Sequence, residues 1–164
     1  MPQTDTDSEL PERSRLVARA LAAVGAEGPV RELPDSTRTA AEAAAALGCE
    51  VGAIANSLVF MADDAPLLVM TSGAHKVDTA ALAGRVGAAK VERATPQQVR
   101  TATGQAIGGV APIGHPAPLR TVVDVALAAY PEIWAAAGTP HTVFRTTYAE
   151  LVRITGGTEL SVET

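Results

Sequence analysis

The chain is poor in aromatic residues: its 164 residues include two Phe, two Tyr and one Trp. A core must therefore be assembled mainly from Ala, Val, Leu and Ile packed between helices and strands, without many large anchors. Cys49 is the only cysteine, which excludes an internal disulfide and a cysteine-based zinc cluster of the usual kind. It stands between an Ala-rich segment and an apolar one with no histidine close by in sequence, a packing position rather than that of a nucleophile. The three histidines, His75, His115 and His141, are widely separated and lack the HExxH spacing that sets two ligands on one helical face, so no metal and no cofactor is expected. Lysine is scarce as well, with Lys76 and Lys90 the only two. No apolar run approaches the roughly 20 residues that span a bilayer, and the opening MPQTDTDSELPERSR is polar and acidic, unlike a secretory signal. A cytoplasmic location away from membranes is the expectation. A net charge of −5 and a pI near 5.1 argue against a broad basic surface gripping long stretches of phosphate backbone, while leaving room for contact with a short nucleic-acid end.

What is present reads as one domain, since two cores would leave each half too small to bury enough surface. Residues 1–8 are polar with nothing to bury and are expected to be disordered; residues 9–164 form the domain. Leu10, Leu16, Val17, Ala20, Leu21 and Val24 fall near helical spacing from Glu9 to Val24, and Gly25 supplies a stop. Val30 to Leu33 is a short strand. Thr39 with Glu42 forms an [ST]-x-x-E capping box at the head of AAEAAAALG, a helix that ends before Gly48. Ile54 to Phe60 and Leu67 to Thr71 read as a hairpin turning through residues 63–66. Asp78 to Val86 is a short helix, Ala89 to Arg93 a strand, and Thr95-Pro96 a capped helix start running to Gly104. Between Ile107 and Pro118 three glycines and three prolines exclude a regular helix or a central strand, leaving a shaped loop. Leu119 to Val125, Ile133 to Ala137 and His141 to Arg145 are strands. Thr147 with Glu150 opens a last helix to Ile154, and Glu159 to Val162 is an edge strand. Hairpin-length connections mixed with crossover-length ones indicate an α/β fold with a mixed sheet flanked by helices.

The loop carries chemistry on its own terms. Gly108 and Gly109 let backbone approach a ligand closely, and N–H groups from Gly108 to Val110, held rigid by Pro112, suit the negative charge that develops on a carbonyl oxygen in acyl transfer. A tight turn between two core strands is the other reading. No GxSxG elbow, P-loop or dinucleotide fingerprint is present.

Four segments in order, STRTAAEAAAALG, IANSLVF, GQAIGGVAPIGH and AAGTPHTVFRTTYAELVRITGG, resemble the YbaK/ProX family of aminoacyl-tRNA editing domains over roughly Val30 to Val162. The resemblance implies a mixed α/β domain around a highly curved sheet, and hydrolysis of the ester joining a wrong amino acid to the 3′ end of a tRNA. It implies a mischarged tRNA acceptor end as partner, with an aminoacyl-tRNA synthetase as a second one, and a free-standing, trans-editing form. In this family a bound water or a hydroxyl of the tRNA can take part in the attack, so a missing Ser-His-Asp triad does not exclude hydrolysis. The Gly108 to Pro112 spacing matches the family loop that sorts amino-acid side chains. Asn56 departs from the pattern: the family very often has lysine there, and asparagine keeps hydrogen-bonding capacity but brings no positive charge. Asn56 is then part of a retuned catalytic site, part of a binding module without turnover, or a plain strand residue. Lys76 offers a replacement charge or is a solvated loop residue. Asp124 matches a common family Asp and either meets the substrate's α-ammonium or ties down a turn. Thr37 and His141 are substrate-binding candidates, each with a local structural alternative, and His115 beside the loop has the same two readings.

Overall fold

The computed structural model describes residues 10–26, 28–34 and 39–163. The expected disorder of residues 1–8 and the position of Thr37 lie outside the described residues.

Eight strands form one sheet: β1 (Val30–Glu32), β2 (Ile54–Ala62), β3 (Ala65–Ser72), β4 (Val91–Arg93), β5 (Arg120–Asp124), β6 (Ile133–Ala136), β7 (Thr142–Thr146) and β8 (Thr158–Leu160). The order is β1-β7-β6-β2-β3-β5-β8, with β4 on β2 as well. Pairings β1/β7, β2/β3, β2/β4 and β6/β7 are antiparallel, whereas β2/β6, β3/β5 and β5/β8 are parallel, the mixed sheet that the connection lengths indicate. One edge of β2 is shared: its first residues pair with β6 and its last with β4, so the sheet divides along this strand. Five α-helices accompany it among the described residues: α1 (Glu12–Ala23), α2 (Ala40–Leu47), α3 (Thr79–Val86), α4 (Pro96–Thr103) and α5 (Tyr148–Thr155).

Local chemistry sets the element ends. Thr39 and Thr95 form complete capping boxes with Glu42 and Gln98. At α5 the Thr147 side chain accepts from the Glu150 N–H, while the Glu150 carboxylate takes the Thr146 hydroxyl at 2.6 Å. Helices α2 to α5 end on left-handed glycines, the conformation that lacks a Cβ penalty. The β2/β3 turn is tighter than the sequence indicates: Asp63 (φ 48°) and Asp64 (φ 69°) alone make it, and the strands extend to Ala62 and Ala65. The Asp63 carboxylate accepts from the Ala89 and Lys90 N–H groups at 2.9 Å, fastening the hairpin tip to the start of β4.

The strand alternation shows where the core sits. Leu67, Leu68, Val69 and Met70 are all fully buried, which requires cover on both faces of β3. Leu68 and Met70 join one cluster with Val17 and Leu21 of α1, Val99 of α4 and Leu151 of α5. Leu67 and Val69 join a second cluster with Leu82 and Val86 of α3. A third, small cluster holds Ala43 and Ala44 of α2 against Ile54, with Trp134 packed beside them. In α1 the buried stripe is Ser14, Val17 and Leu21, with buried Leu10 just ahead of the helix, and the Ser14 hydroxyl lies 2.8 Å from that of Thr142. Leu16 is exposed, because its neighbour Val17 holds the core-facing position and adjacent helical residues point about 100° apart. Among the described residues no helix is long and apolar enough to cross a membrane.

Candidate active site

Asn56 lies in the middle of the sheet, on the face that also carries Ile54, Phe60 and α2. Its Cα partner on β3 is Thr71. On its other side the parallel register pairs Ile54 with Trp134 and Ala55 with Ala135, which sets Asn56 abreast of Ala136. Ala136 pairs with Val143, and Val143 with Arg31. Residues abreast on neighbouring strands share a face, so Arg31, Val143, Ala136, Asn56 and Thr71 form one transverse row. Above it, α2 leaves a cavity of about 30 Å³ lined by Thr39, Ala40, Ala43, Asn56, Trp134 and Val143, among others. Gly73, just beyond β3, permits this closeness: a Cβ there would lie 2.6 Å from that of Ala40.

Asn56 is only partly buried, and among the described residues its side chain has no hydrogen-bond partner. Polar side chains inside proteins are nearly always satisfied, so an unpaired amide at a cavity wall is available to a ligand. The other polar groups there are more committed: the Thr39 hydroxyl accepts from Glu42 N–H, and the Ser57 hydroxyl donates to Met70 Sδ at 3.3 Å.

The Gly108 to Pro112 loop approaches the same end of the sheet through the β6/β7 hairpin. The Gly109 carbonyl accepts from the Gly138 N–H at 2.9 Å, two residues beyond Ala136 of the cavity wall. A side chain at 109 has no room, since a Cβ would sit 2.7 Å from the Thr139 Cα. Gly108 has φ 92°, a left-handed conformation that glycine adopts freely. The loop is braced from behind by Gln105, which is 3% exposed: its Oε1 accepts from Ala111 N–H at 2.7 Å and its Nε2 donates to the Ile113 carbonyl at 3.4 Å. His115 Nε2 donates to the Ala111 carbonyl at 2.9 Å. Burial pushes the His115 pKa below its ordinary value, against the opposing pull of that carbonyl. Ala111 N–H is thus used up, whereas among the described residues the N–H groups of Gly108, Gly109 and Val110 meet no acceptor. A larger cavity, about 520 Å³, lies behind the loop, between α1 and residues 103–116. His115 lines it, while Asn56 does not.

The remaining candidates do not line this cavity. Asp124 is 1% exposed and accepts from Ser72 N–H at 3.0 Å, Ala126 N–H at 3.0 Å and the Thr71 hydroxyl at 3.4 Å. His75 Nδ1 lies 3.0 Å from the same carboxylate, and its Nε2 is 3.3 Å from Glu163. This favours the turn-fixing reading: Asp124 ends β5 and caps the 3₁₀ turn Val125–Ala129. His141 is exposed at the hairpin, where its carbonyl accepts from Leu33 N–H at 2.7 Å. Lys76 is exposed in the segment after β3, and Cys49, whose pKa burial raises, packs beside α2. Trp134 and Arg31 share this face but were not among the candidates read from the sequence. The lone tryptophan was the available signal for the first; Arg31 carries none, because only the sheet register brings it to this face.

The family model described as "Aminoacyl-tRNA editing domain" matches residues 34–154. A solved structure described as a candidate trans-editing enzyme for prolyl-tRNA synthetase is 44% identical, with a TM-score of 0.87 over 95% of this chain and 99% of that one. A scaffold protein from an epitope-grafting design is 40% identical, with a TM-score of 0.89 over 94% of this chain and 99% of that one. The proline–tRNA ligase of Lactiplantibacillus plantarum is 32% identical over 77 residues, 46% of this chain and 14% of the ligase. The match thus spans a small part of that curated relative's length.

Proposed function

Because the chain belongs to the aminoacyl-tRNA editing domain family, we propose that it is a trans-acting deacylase that hydrolyses the ester of a mischarged tRNA, with its site in the Asn56 cavity. The observation that supports this reading is the set of polar groups left without a partner, although none of residues 108–112 lines the Asn56 cavity itself. The Asn56 amide and the Gly108 to Val110 N–H groups have no partner among the described residues, in a protein whose other buried polar groups named above are satisfied. The ester carbonyl would be received by the loop amides, which can stabilise its oxygen as charge develops. The cavity lining named above offers no general base, so water attacks the carbonyl carbon with its proton passing to solvent or to a tRNA hydroxyl. The C–O bond to the ribose then breaks, and the released ribose oxygen takes up a proton. Asn56 serves as a neutral orienter of the water or of the carbonyl. The cavity is small, about 30 Å³, which supports a small amino-acid side chain as the one cleared. Candidate partners are the mischarged acceptor end and the synthetase that produced it.

The rival is a domain that binds the aminoacyl end without turning it over, a reading favoured by the absence of a cation among the described residues lining the cavity. Release of amino acid from a panel of mischarged tRNAs, beginning with mischarged tRNAPro, separates the two. Clearance well above the spontaneous rate, lost in Asn56→Ala, is the expected result; turnover by Asn56→Lys alone would establish the rival.

A further inference from the structure

The substrate just proposed is a polyanion at its reactive end, yet among the described residues none that lines the cavity carries positive charge. The sheet register identifies where a cation does approach. Arg31 lies in the same transverse row as Asn56, separated from it by Val143 and Ala136, both of which line the cavity. At about 4.8 Å per strand that is a Cα separation of roughly 14 Å, within which an extended arginine covers a good part of the distance. Its guanidinium is not free to wander: Cζ sits 5.4 Å from the ring centroid of Trp134, itself part of the cavity wall. Such stacking orders the planar group while leaving its N–H edge outward. Arg31 is exposed, and among the described residues no carboxylate pairs with it. Arg145, the arginine directly across from Trp134 on this face, lies 3.5 Å from Glu132, which offsets its charge.

We propose that Arg31, held on the indole of Trp134, grips a phosphate of the substrate's terminal nucleotides and so fixes the ester over Asn56. The charge comes from β1, at the edge of the sheet, rather than from the strand beneath the reacting bond. A guanidinium suits this task because its fixed fork of donors matches phosphate oxygens, and a preordered one loses less entropy on binding. Trp134 acts through Arg31 as a positioning residue. The inference rests on the deacylase reading for its kinetic consequences but not for its binding consequence.

The test uses the full chain as wild type, Arg31→Ala, Arg31→Lys and Trp134→Leu, with Lys90→Ala, just ahead of β4, as a charge-matched control. Steady-state deacylation of the best mischarged tRNA and binding of an uncharged acceptor-stem oligonucleotide with a single-stranded 3′ end are both measured against salt. Arg31→Ala is expected to raise KM and the oligonucleotide Kd about tenfold with kcat within about twofold. It should also flatten the dependence of log affinity on log salt by about 0.7, one phosphate contact to a single strand. Trp134→Leu should fall between the two, and Arg31→Lys should keep the salt slope while weakening affinity. An unchanged KM, Kd and salt slope in Arg31→Ala, or a loss equal to that of Lys90→Ala, overturns the proposal. If wild type turns over no ester but oligonucleotide binding still depends on Arg31, the deacylase reading fails and the Arg31 contact stands. If wild type neither turns over an ester nor binds the oligonucleotide, both fall.

Discussion

Two polar groups on one face of the sheet, Asn56 and Asp124, are treated in opposite ways by their surroundings. Asp124 is sealed at 1% exposure and receives donors from Ser72, Ala126, Thr71 and His75. Asn56, next to Thr71 on the neighbouring strand, has an unspent side chain facing a cavity. A saturated group contributes to folding and has nothing left to offer a ligand; an unsaturated one contributes little to folding and is free to bind. Residue type alone does not separate these roles, since both are short polar side chains on strands.

The comparison breaks most sharply at Asp124. Asp124→Ala leaves the buried Ser72 N–H and the partly buried Ala126 N–H without their acceptor and is expected to cost about 2–4 kcal/mol, read by denaturant unfolding. Deacylation per folded molecule should stay within about twofold of wild type. Loss of turnover at unchanged stability would instead place Asp124 in the site. Asn56→Ala should show the reverse, with stability within about 0.5 kcal/mol of wild type and deacylation lowered at least tenfold.

Gly109→Ala tests the loop. The added Cβ collides with the Thr139 backbone and must push the loop off the β6/β7 hairpin. A loss of about 100-fold in deacylation is expected, the scale of one misplaced oxyanion donor, with about 1–3 kcal/mol of destabilisation from overpacking. Gln105→Ala removes the acceptor of the buried Ala111 N–H and should cost about 1–2 kcal/mol. If it lowers kcat as well, the brace behind the loop also positions it.

His115 supplies the smallest and most specific effect. Its pKa in the folded protein lies below the ordinary value because burial disfavours the imidazolium. Below about pH 6.5 the unfolded chain therefore binds more protons than the folded one, and stability falls as pH drops. The decline ends once pH passes below the folded value. His115→Gln should remove that part of the slope in a series of unfolding curves from pH 7.5 to 5.

Element positions were legible in the sequence where local chemistry dictates them. The Thr39 and Thr95 boxes and the helix stops at Gly48 and Gly104 appear where the capping rules put them. The 3₁₀ turn after β5 was not legible, because Asp124 reads as a strand residue until its carboxylate is seen to cap Ala126 N–H. The end of the chain was read as an edge strand reaching Val162; β8 stops at Leu160, and Val162 is fully buried, its carbonyl accepting from Asp78 N–H at 2.8 Å. The buried side chain, not strand pairing, fixes that segment.

By itself the sequence determined a mixed α/β domain, the capped helices, the shaped loop from Ile107 to Pro118 and the family resemblance, because each rests on neighbours within a few residues or on spacing along the chain. Which polar groups are spent and which are open was decided by the tertiary structure alone. That Asp124 meets Ser72 and His75, that Gly109 meets Thr139, and that Arg31 shares a row with Asn56 all depend on strands far apart in sequence pairing in one register. Contacts of that kind leave no local pattern to read, since burial and satisfaction belong to the assembled sheet rather than to any segment of it.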